Sequence, residues 1–479
     1  MFFSLTHDSF VRIYDDIAYV TNQLLKSDKV YDQSGKLFVE QIKRHPQNIE
    51  NSVCKLFSQF TDTDYDEVFR DYLEFILDLE KEGYVVTGES IGELSNKMPH
   101  FNYSDPFSKT LPQLQYETNS SFTDTADYLY GYFKKNPKIF SFHMELTKRC
   151  NERCRHCYLP NTRDMRDMET PLALGLMDQL AEEGTLGLTL SGGECLLHPD
   201  FIQILDYARK SDFSISILSN VALMTNDVLE AVKEANINLL QVSVYSMVPE
   251  EHDWVTRVKG SHAATMSSLE KLIAANIPVQ ISCPTMKKTY RSYQGVLKWA
   301  YKHRVKGYTD FIMMGRTDKS TDNLENRLSY EETKELLQQM LQIDIEYKAL
   351  LNSGEDFPVD ETLREKAVCG AGTDSMCITA NGDFYPCAGF QGYPLGNAYK
   401  QSIRDVWNNS PAIKQLRGIT WEDFPKCLKC AAKPFCSMCM VRNFNESGDM
   451  FKVNQHFCDV AFLNKQLAEE YIHNREIRK

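Results

Sequence analysis

Hydrophobic and polar positions follow two different periods along this chain and divide it into distinct units. In residues 1–95, short β-like runs come first and amphipathic helical patterns follow. The candidate elements are strands at 10–14 and 17–20 and helices near 33–44, 48–60 and 65–82. Small strands combined with three helices predict a winged-helix domain over residues 1–95.

The third helical pattern is the clearest, because its apolar residues recur three and four positions apart. They are Val68, Tyr72, Phe75, Ile76 and Leu79. Asp64 is suited to cap the N-terminus of this helix, and Glu67, three residues later, would complete a capping box. Gly83 then ends the helix before a strand-like run at 84–86.

Four further segments follow the N-terminal unit. Residues 96–138 are interpreted as a linker with one bridging helix at 124–135, and residues 139–345 as alternating strands and helices. The candidate strands are 142–146, 187–190, 214–218, 239–244, 279–283 and 310–313. Six such units predict an α/β fold, a partial (β/α)6 TIM-like barrel rather than a closed eightfold one. Residues 346–461 are loop-rich and dense in cysteine, and residues 462–479 show a polar helical pattern.

The composition is that of a soluble globular protein, with 42% hydrophobic and 25% charged residues among 479. The N-terminus shows no cationic region followed by an apolar run, and no stretch reaches the length of a membrane span. We therefore expect a cytoplasmic protein without membrane association. In a reducing compartment, clustered cysteines are metal ligands or catalytic groups rather than disulfides. The net charge of −13 disfavours nucleic-acid binding.

Eleven of the fourteen cysteines lie in spacings typical of cluster ligands. The first group, Cys150, Cys154 and Cys157, forms Cys-x3-Cys-x2-Cys directly after the first barrel strand. A four-iron cubane normally takes one protein sulfur per iron, so three ligands leave one iron open to a small molecule. Barrel active sites also lie in loops that follow strands. A zinc site or three unrelated cysteines are the alternatives.

A glycine motif, Ser191-Gly192-Gly193-Glu194, follows the second candidate strand. Glycines at this position would let a ligand approach the backbone closely, and unpaired carbonyls could accept hydrogen bonds from an ammonium. Alone, such a motif usually marks a turn. One βα unit after the cysteine motif, it is strong evidence for a binding site.

Together these motifs resemble the radical S-adenosylmethionine (SAM) superfamily, in which the open iron chelates the amino and carboxylate groups of SAM. The resemblance implies that Gly192, Gly193 and Glu194 contact the methionyl ammonium. It also implies contacts with the rest of SAM, by His156 near the adenine, Ser219, Asn220 and Ser243 near the ribose, and Arg257 near the carboxylate. A polar strand end or a solvated arginine is the alternative for each of these.

Eight further cysteines lie near the C-terminus, enough for two fully ligated clusters. Their order, with Gly382 five positions before Cys387, resembles the SPASM domain, which binds two auxiliary four-iron clusters. The family commonly has three residues where Cys436 and Cys439 have two between them. Paired zinc sites are the alternative, because Cys-x2-Cys pairs also bind zinc.

The SPASM resemblance assigns these cysteines to two closed clusters suited to electron transfer or structure. It implies a first auxiliary cluster on Cys369, Cys377, Cys387 and Cys439, and a second on Cys427, Cys430, Cys436 and Cys458. With the open cluster, the expectation is three [4Fe-4S] clusters per chain. An electron donor such as flavodoxin or ferredoxin would be a partner.

Charge distinguishes two uses of the N-terminal unit. Residues 1–95 hold nine Lys and Arg against eighteen Asp and Glu, which disfavours DNA binding. A small domain with an exposed strand edge can instead bind an extended peptide by strand addition. The unit resembles a RiPP recognition element, which binds the leader of a ribosomally made precursor peptide.

The three resemblances cover nearly the whole chain and are similar to maturases of the sactipeptide and ranthipeptide type. They imply that a 5′-deoxyadenosyl radical takes hydrogen from a peptide carbon, which then forms a thioether with a cysteine sulfur. No protein general acid or base is predicted. Carbon–carbon cross-linking, epimerisation or another oxidative modification of a peptide or protein stays open, and a zinc-dependent regulatory protein is the remote alternative.

Overall fold

The computed structural model describes residues 1–61, 63–103, 120–160, 165–353 and 364–477. The N-terminal unit contains six strands and four helices. They are β1 (Phe2–Leu5), β2 (Ser9–Ile13), β3 (Ile17–Asn22), β4 (Ser27–Asp32), α1 (Gln33–Glu40), β5 (Gln47–Asn48), α2 (Ile49–Phe57), α3 (Tyr65–Lys81), β6 (Val85–Gly88) and α4 (Ile91–Lys97). The predicted strands and the three predicted helices are confirmed, whereas α4, which crosses the expected boundary at residue 95, was missed.

Two small antiparallel sheets organise these elements, one in the order β5-β1-β6 and the other a β2-β3-β4 meander. Val68, Tyr72, Ile76 and Leu79 of α3 are buried in the core between helices and strands. One face of the meander joins that core through Ala18 and Val20. The strand β4 forms an edge of the meander.

The N-terminus of α3 is capped as predicted, but only by half of the expected box. Asp64 Oδ1 accepts a hydrogen bond from the amide of Glu67 at 2.7 Å. The carboxylate of Glu67 accepts from the hydroxyl of Thr63 instead of returning to the amide of Asp64. Gly83 ends the helix with a φ of +82°, a conformation that glycine adopts without strain.

The other face of the meander packs against α5 (Ser120–Lys135) and against the barrel. The helix predicted at 124–135 is therefore confirmed and begins earlier, while the rest of the predicted linker at 104–119 lies outside the described residues. Arg12 of β2 donates from Nε to the carbonyl of Thr185 at 3.0 Å and from Nη1 to Asp212 at 3.2 Å. Thr185 and Asp212 lie just before barrel strands. The N-terminal unit therefore docks at the amino ends of the barrel strands, opposite their carboxyl ends.

The central region alternates strands and helices, as predicted. Its elements are β7 (Ser141–Thr147), α6 (Thr170–Glu182), β8 (Gly187–Gly192), α7 (Phe201–Lys210), β9 (Ser214–Ser219), α8 (Asn226–Glu234), β10 (Leu239–Ser243), α9 (Pro249–Thr256), α10 (Ser261–Ala274), β11 (Val279–Ser282), α11 (Tyr293–Lys302) and β12 (Lys306–Tyr308). The six strands are parallel in the order β12-β11-β10-β9-β8-β7. The α/β fold with a partial barrel is confirmed.

The sixth strand was predicted in the wrong place. It is Lys306–Tyr308, and residues 310–313 form the loop that follows. Gly307 lies at the centre of the strand because a Cβ there would come within 3.3 Å of Leu297 and 3.4 Å of Ala300. A strand of Lys, Gly and Tyr has no hydrophobic run. The strand was therefore predicted at the apolar residues of the loop that follows.

The C-terminal region extends the barrel sheet. Its elements are α12 (Tyr330–Ile343), α13 (Ile345–Ser353), β13 (Ser375–Ile378), β14 (Asp383–Tyr385), β15 (Gly396–Asn397), α14 (Ile403–Asn409), α15 (Pro411–Arg417), α16 (Pro425–Leu428), α17 (Met440–Ser447) and α18 (Gln455–Ile477). The strand β13 pairs in parallel with β7 and makes a continuous nine-stranded sheet. The last helix begins at Gln455 rather than at 462, so Cys458 lies on it.

Candidate active site

A cavity of about 460 Å³ opens at the carboxyl ends of the barrel strands. Ten of the sequence-predicted residues line it, namely Cys150, Cys154, His156, Cys157, Gly192, Gly193, Glu194, Ser219, Asn220 and Ser243. This volume lies within the range of small-molecule and cofactor sites. The structure thus brings residues from four strand ends to one site.

Gly192 and Gly193 lie against the protein's own backbone, where a side chain would not fit. A Cβ on Gly192, whose φ is +144°, would lie 2.4 Å from the carbonyl oxygen of Thr147. A Cβ on Gly193 would lie 2.3 Å from the carbonyl oxygen of Arg149. The amides of Gly193 and Glu194 donate to these same carbonyls, each at 2.8 Å. The glycines therefore hold the chain segment that leads directly into Cys150.

The Glu194 carboxylate is held from three directions. Its Oε1 accepts from the Ser219 hydroxyl at 2.7 Å and from the Leu196 amide at 3.1 Å, and its Oε2 accepts from the Asn220 amide at 2.8 Å. Burial raises the pKa of Glu194, while these hydrogen bonds lower it. The Asn220 side chain pairs with that of Asn151 at 2.9 Å. Two residues expected to contact the ribose therefore also orient the glutamate of the glycine motif.

The three cysteines of the first group face this cavity from a single loop. Cys154 Sγ lies 3.2 Å from Glu152 Oε2 and 3.6 Å from the hydroxyl of Tyr245. Burial raises the pKa of the Cys150 thiol to about 12. Three thiols that converge on a cavity, with polar groups at its other strand ends, fit a cluster with three protein ligands and one open iron.

His156 lines the cavity with its ring packed against Tyr245, at 5.0 Å between centroids. Burial lowers the pKa of His156 to about 4, so the imidazole is neutral at physiological pH. Its Nδ1 is buried and has no hydrogen-bond partner among the described residues. Tyr245 also lines the cavity and was missed, because its place just beyond a strand end resembles that of an ordinary core residue.

Arg257 does not reach the cavity. It is exposed at the end of α9, with a φ of +61°, and it is absent from the lining residues. Four residues before Arg257, Asp253 accepts hydrogen bonds from the amides of Gly260 and His262 and so stabilises the start of α10. The cationic residues that do line the cavity are Lys148, Arg153 and Arg442. Arg442 was missed because it lies almost three hundred residues after the cysteine loop.

Cys369, Cys377, Cys387 and Cys439, here called the first quartet, lie near one another. Burial, together with the nearby Cys439 and Cys369, raises the pKa of Cys387 to about 12. Cys377 is on β13, where its Cα pairs with that of His143 on β7, so this quartet adjoins the barrel. Tyr158 lies within electrostatic range of Cys157, Cys377 and Cys387, between the cavity and the first quartet.

Cys427, Cys430, Cys436 and Cys458, here called the second quartet, also come together. Burial, together with the nearby Cys458, Cys427 and Cys430, raises the pKa of Cys436 to about 11. Cys458 approaches from α18, which packs against the short 3₁₀ turn Lys433–Phe435. Helix α18 thus brings Cys458 to the other three cysteines of the second quartet, although it lies far from them in sequence.

Each quartet offers four thiols as possible metal ligands. Within the described ranges, no three His, Cys, Asp or Glu side chains converge closely enough to hold one metal ion. A zinc ion binds its ligands at about 2.0–2.3 Å around one point. A cubane binds each thiolate at a different iron, so its ligands lie further apart. The donor set, four thiols in each quartet, fits iron–sulfur clusters.

Among the remaining cysteines, Cys195 and Cys283 are buried and Cys54 is exposed. In the described part of the chain, no helix combines the length and apolar character that crossing a membrane requires.

Two family descriptions match the chain. The radical SAM superfamily matches residues 144–300, and an iron–sulfur cluster-binding domain, SPASM, matches residues 369–432. The cysteine loop, the glycine motif and both expected ribose-contacting strand ends lie in the first match.

Two relatives and one solved structure are similar to this chain. The antilisterial bacteriocin subtilosin biosynthesis protein AlbA of Bacillus subtilis is 28% identical over 320 residues, which cover 63% of this chain and 67% of that one. The AdoMet-dependent heme synthase of Methanosarcina barkeri is 26% identical over 336 residues, which cover 65% and 94%. SuiB of Streptococcus suis, solved with precursor peptide SuiA, has a similar fold, with a TM-score of 0.61 and 16% identity over 93% of this chain and 97% of that one. The chain is therefore a radical SAM enzyme with a C-terminal SPASM domain.

Proposed function

We propose that this enzyme installs thioether cross-links in a ribosomally made precursor peptide, joining a cysteine sulfur to a carbon of another residue. The observation that carries the proposal is the cavity in which Cys150, Cys154, Cys157, the glycine motif and four further strand ends meet. The cysteine quartets support a radical SAM enzyme with auxiliary clusters. The N-terminal unit, whose sheet ends in the edge strand β4, supports a peptide as the substrate.

The cavity residues would hold the cofactors. Cys150, Cys154 and Cys157 would bind the open [4Fe-4S] cluster, and Gly192, Gly193 and Glu194 would contact the SAM ammonium, with His156, Ser219, Asn220 and Ser243 along the rest of SAM. Because Arg257 lies outside, we assign the cationic wall to Arg153 and Lys148 instead. When bound, the reduced cluster and SAM supply a 5′-deoxyadenosyl radical.

The chain's own residues position the reactants and exclude water. Glu194 is fixed by Ser219 and Asn220 before SAM arrives, so little reorganisation is needed. Apolar residues also line the cavity and would suit a peptide side chain, namely Leu159, Pro160, Met165, Met313 and Met314. The neutral His156 ring would lie beside the nucleoside without adding charge.

The two quartets would hold two closed auxiliary clusters, giving three clusters per chain. Joining a carbon radical to a thiol breaks the S–H bond, forms a C–S bond and releases one proton and one electron. The first quartet adjoins the cavity through Tyr158, so it would receive that electron. A flavodoxin or ferredoxin would supply the electron that SAM cleavage consumes.

The leader of the precursor would bind the N-terminal unit. The strand β4 is an edge of its sheet and can accept an added strand. Tyr31 of β4 packs on Phe75 of α3 at 5.2 Å between ring centroids, and Lys29 pairs with Glu82 at 2.5 Å. The edge strand β4 and helix α3 therefore pack against each other. SuiB, whose fold covers this unit as well, is itself described with a precursor peptide.

The test uses the reconstituted enzyme with reductant, SAM and a cysteine-bearing precursor encoded beside its gene. We expect 5′-deoxyadenosine and a peptide that has lost two hydrogens and one free thiol per bond, measured by mass spectrometry and thiol alkylation. Iron analysis should give about twelve irons per chain. A precursor with its cysteines changed to serine and the triple variant C150A/C154A/C157A are the controls.

Other outcomes separate the alternatives. Loss of two hydrogens with every thiol intact would replace the thioether by a carbon–carbon or other oxidative modification. An unchanged mass with a D-residue would indicate epimerisation. Stoichiometric zinc, with no charge-transfer band and no 5′-deoxyadenosine, would reject the proposed radical SAM activity altogether.

A further inference from the structure

Residues 424–445, here called the basic segment, stand apart in a chain with a net charge of −13. They contain Lys426, Lys429, Lys433 and Arg442 and no Asp or Glu. The same segment supplies four of the eight quartet cysteines. Positive charge and cluster ligands therefore coincide in an otherwise acidic protein.

The basic segment runs from the protein surface to the active-site cavity. Its N-terminal part carries Cys427 and Cys430 of the second quartet, and the exposed Lys426 and Lys429 flank Cys427. The chain then contributes Cys436 to the second quartet and, three residues later, Cys439 to the first. Arg442, at the start of α17, lines the cavity. One stretch of chain thus connects an exposed basic surface, both quartets and the site of chemistry.

Lys433 adds an inward-facing charge. Its ammonium nitrogen lies 3.4 Å from the centroid of the Trp421 ring, a cation–π contact. The nitrogen is buried and makes no hydrogen bond with any described residue. It also lies within electrostatic range of Cys427 and Cys436. A buried ammonium without an oxygen partner, near the thiols of Cys427 and Cys436, would be compensated by a negatively charged thiolate-bound cluster.

The carboxylates that border the basic segment are already engaged. Glu422 pairs with Arg364 at 3.6 Å, Asp423 accepts from the amide of Thr420 at 2.9 Å, and Asp459 accepts from Gln455 at 2.9 Å. Only Glu422 has a cationic partner in the described part of the chain, and Asp423 and Asp459 keep their charge. Lys426 and Lys429 are exposed and form no ion pair with any described residue. A surface of this kind steers and binds acidic partners.

We infer that Lys426 and Lys429 form the docking surface for an acidic one-electron carrier protein, which exchanges electrons with a cluster held by the second quartet. The inference rests on the proposed function, because thioether formation releases one electron and one proton from the carbon radical and the thiol. The oxidised carrier takes up that electron. In its reduced form it supplies the one electron consumed in SAM cleavage, so a turnover uses no net electrons from the carrier, and SAM is the oxidant of the peptide.

The experiment uses the reconstituted holoenzyme without SAM or peptide, and an acidic bacterial flavodoxin as the probe. The variant K426E/K429E is compared with K298E/K302E, which reverses two exposed lysines on α11. We measure the flavodoxin Kd by calorimetry at low and physiological ionic strength. Stopped-flow absorbance then gives the rate of cluster reduction by reduced flavodoxin and by dithionite.

For K426E/K429E we expect a Kd weaker by about tenfold or more, slower reduction by flavodoxin and an unchanged rate with dithionite. K298E/K302E should change the Kd by less than about twofold, and the neutral variant K426Q/K429Q should lie between wild type and K426E/K429E. An unchanged Kd, or an equal loss in both reversed pairs, would overturn the inference. Weakened binding of the precursor peptide with intact flavodoxin binding would overturn it in favour of a peptide site. Because neither SAM nor peptide is present in the carrier assays, a failure of the thioether chemistry leaves their result unaffected.

Discussion

The amide of Glu194 donates a hydrogen bond to the carbonyl of Arg149 at 2.8 Å, and this bond ties the glycine motif to the residue just before Cys150. The two conspicuous motifs of the chain are therefore one structural unit. The end of β8 supports the loop that presents the three thiols. Changes to either motif are expected to be felt by both.

Gly193→Ala tests this coupling. Its Cβ would lie 2.3 Å from the Arg149 carbonyl oxygen, so the cysteine loop must move away. We expect a lower melting temperature and loss of about four irons per chain, the content of one cluster. Gly175→Ala is the control, because nothing lies within 4 Å of its Cβ position in helix α6. It should stabilise the helix by up to about 1 kcal/mol. Full iron content in Gly193→Ala would contradict the coupling.

Ser219→Ala removes the hydroxyl that donates to Glu194 at 2.7 Å in a buried site. Hydrogen bonds to charged groups contribute about 1.5–3 kcal/mol, so the free energy of unfolding should fall by about that amount. SAM affinity, measured by calorimetry, should weaken severalfold because the glutamate is no longer oriented. Ser219→Thr keeps a hydroxyl and should restore most of the affinity. Equal SAM binding by Ser219→Ala and wild type would show that Ser219 does not position Glu194.

Arg12→Met tests the docking of the N-terminal unit. The side chain of Arg12 is buried, and it donates to the Thr185 carbonyl and to Asp212 across the interface with the barrel. We expect a loss of about 2 kcal/mol in unfolding free energy and faster amide exchange in β2 and β3. Asp206→Asn, which breaks the exposed Lys210–Asp206 pair, should cost at most about 1 kcal/mol. Unchanged exchange in β2 and β3 would contradict the assigned role of Arg12.

His143→Gln tests the pH dependence of stability. Burial lowers the pKa of His143 to about 4, and its Nε2 contacts the Ser191 hydroxyl. In the unfolded chain the pKa of this histidine is about 6.5, so below that pH the unfolded chain binds a proton that the folded protein does not. The free energy of unfolding therefore falls as pH falls from 6.5 toward 4. When the pH is lowered from 7.5 to 5.5, the free energy of unfolding of wild type should fall by about 1.3 kcal/mol more than that of His143→Gln. Chemical denaturation at both pH values measures the difference, and parallel losses in the two proteins would contradict the assignment.

Local spacing in the sequence determined the candidate chemistry. The cysteine loop, the glycine motif and the strand ends lie within a few residues of the elements that position them, and parallel strands bring their carboxyl ends to one edge. Alternating strands and helices likewise predicted five of the six barrel strands. The sixth failed because Lys306-Gly307-Tyr308 has no hydrophobic pattern, and its glycine is explained only by packing against Leu297 and Ala300.

The tertiary structure decided what depends on contacts between distant residues. It joined β13 to β7 and so set the first quartet beside the cavity, brought Arg442 to the cavity wall and left Arg257 in solvent. It also showed that Gly192 and Gly193 lie against the backbone of Thr147 and Arg149, and that Ser219 orients Glu194. A motif determines which groups are available, because their spacing is a property of the local chain. Which group each one touches depends on segments that only the packed fold brings together.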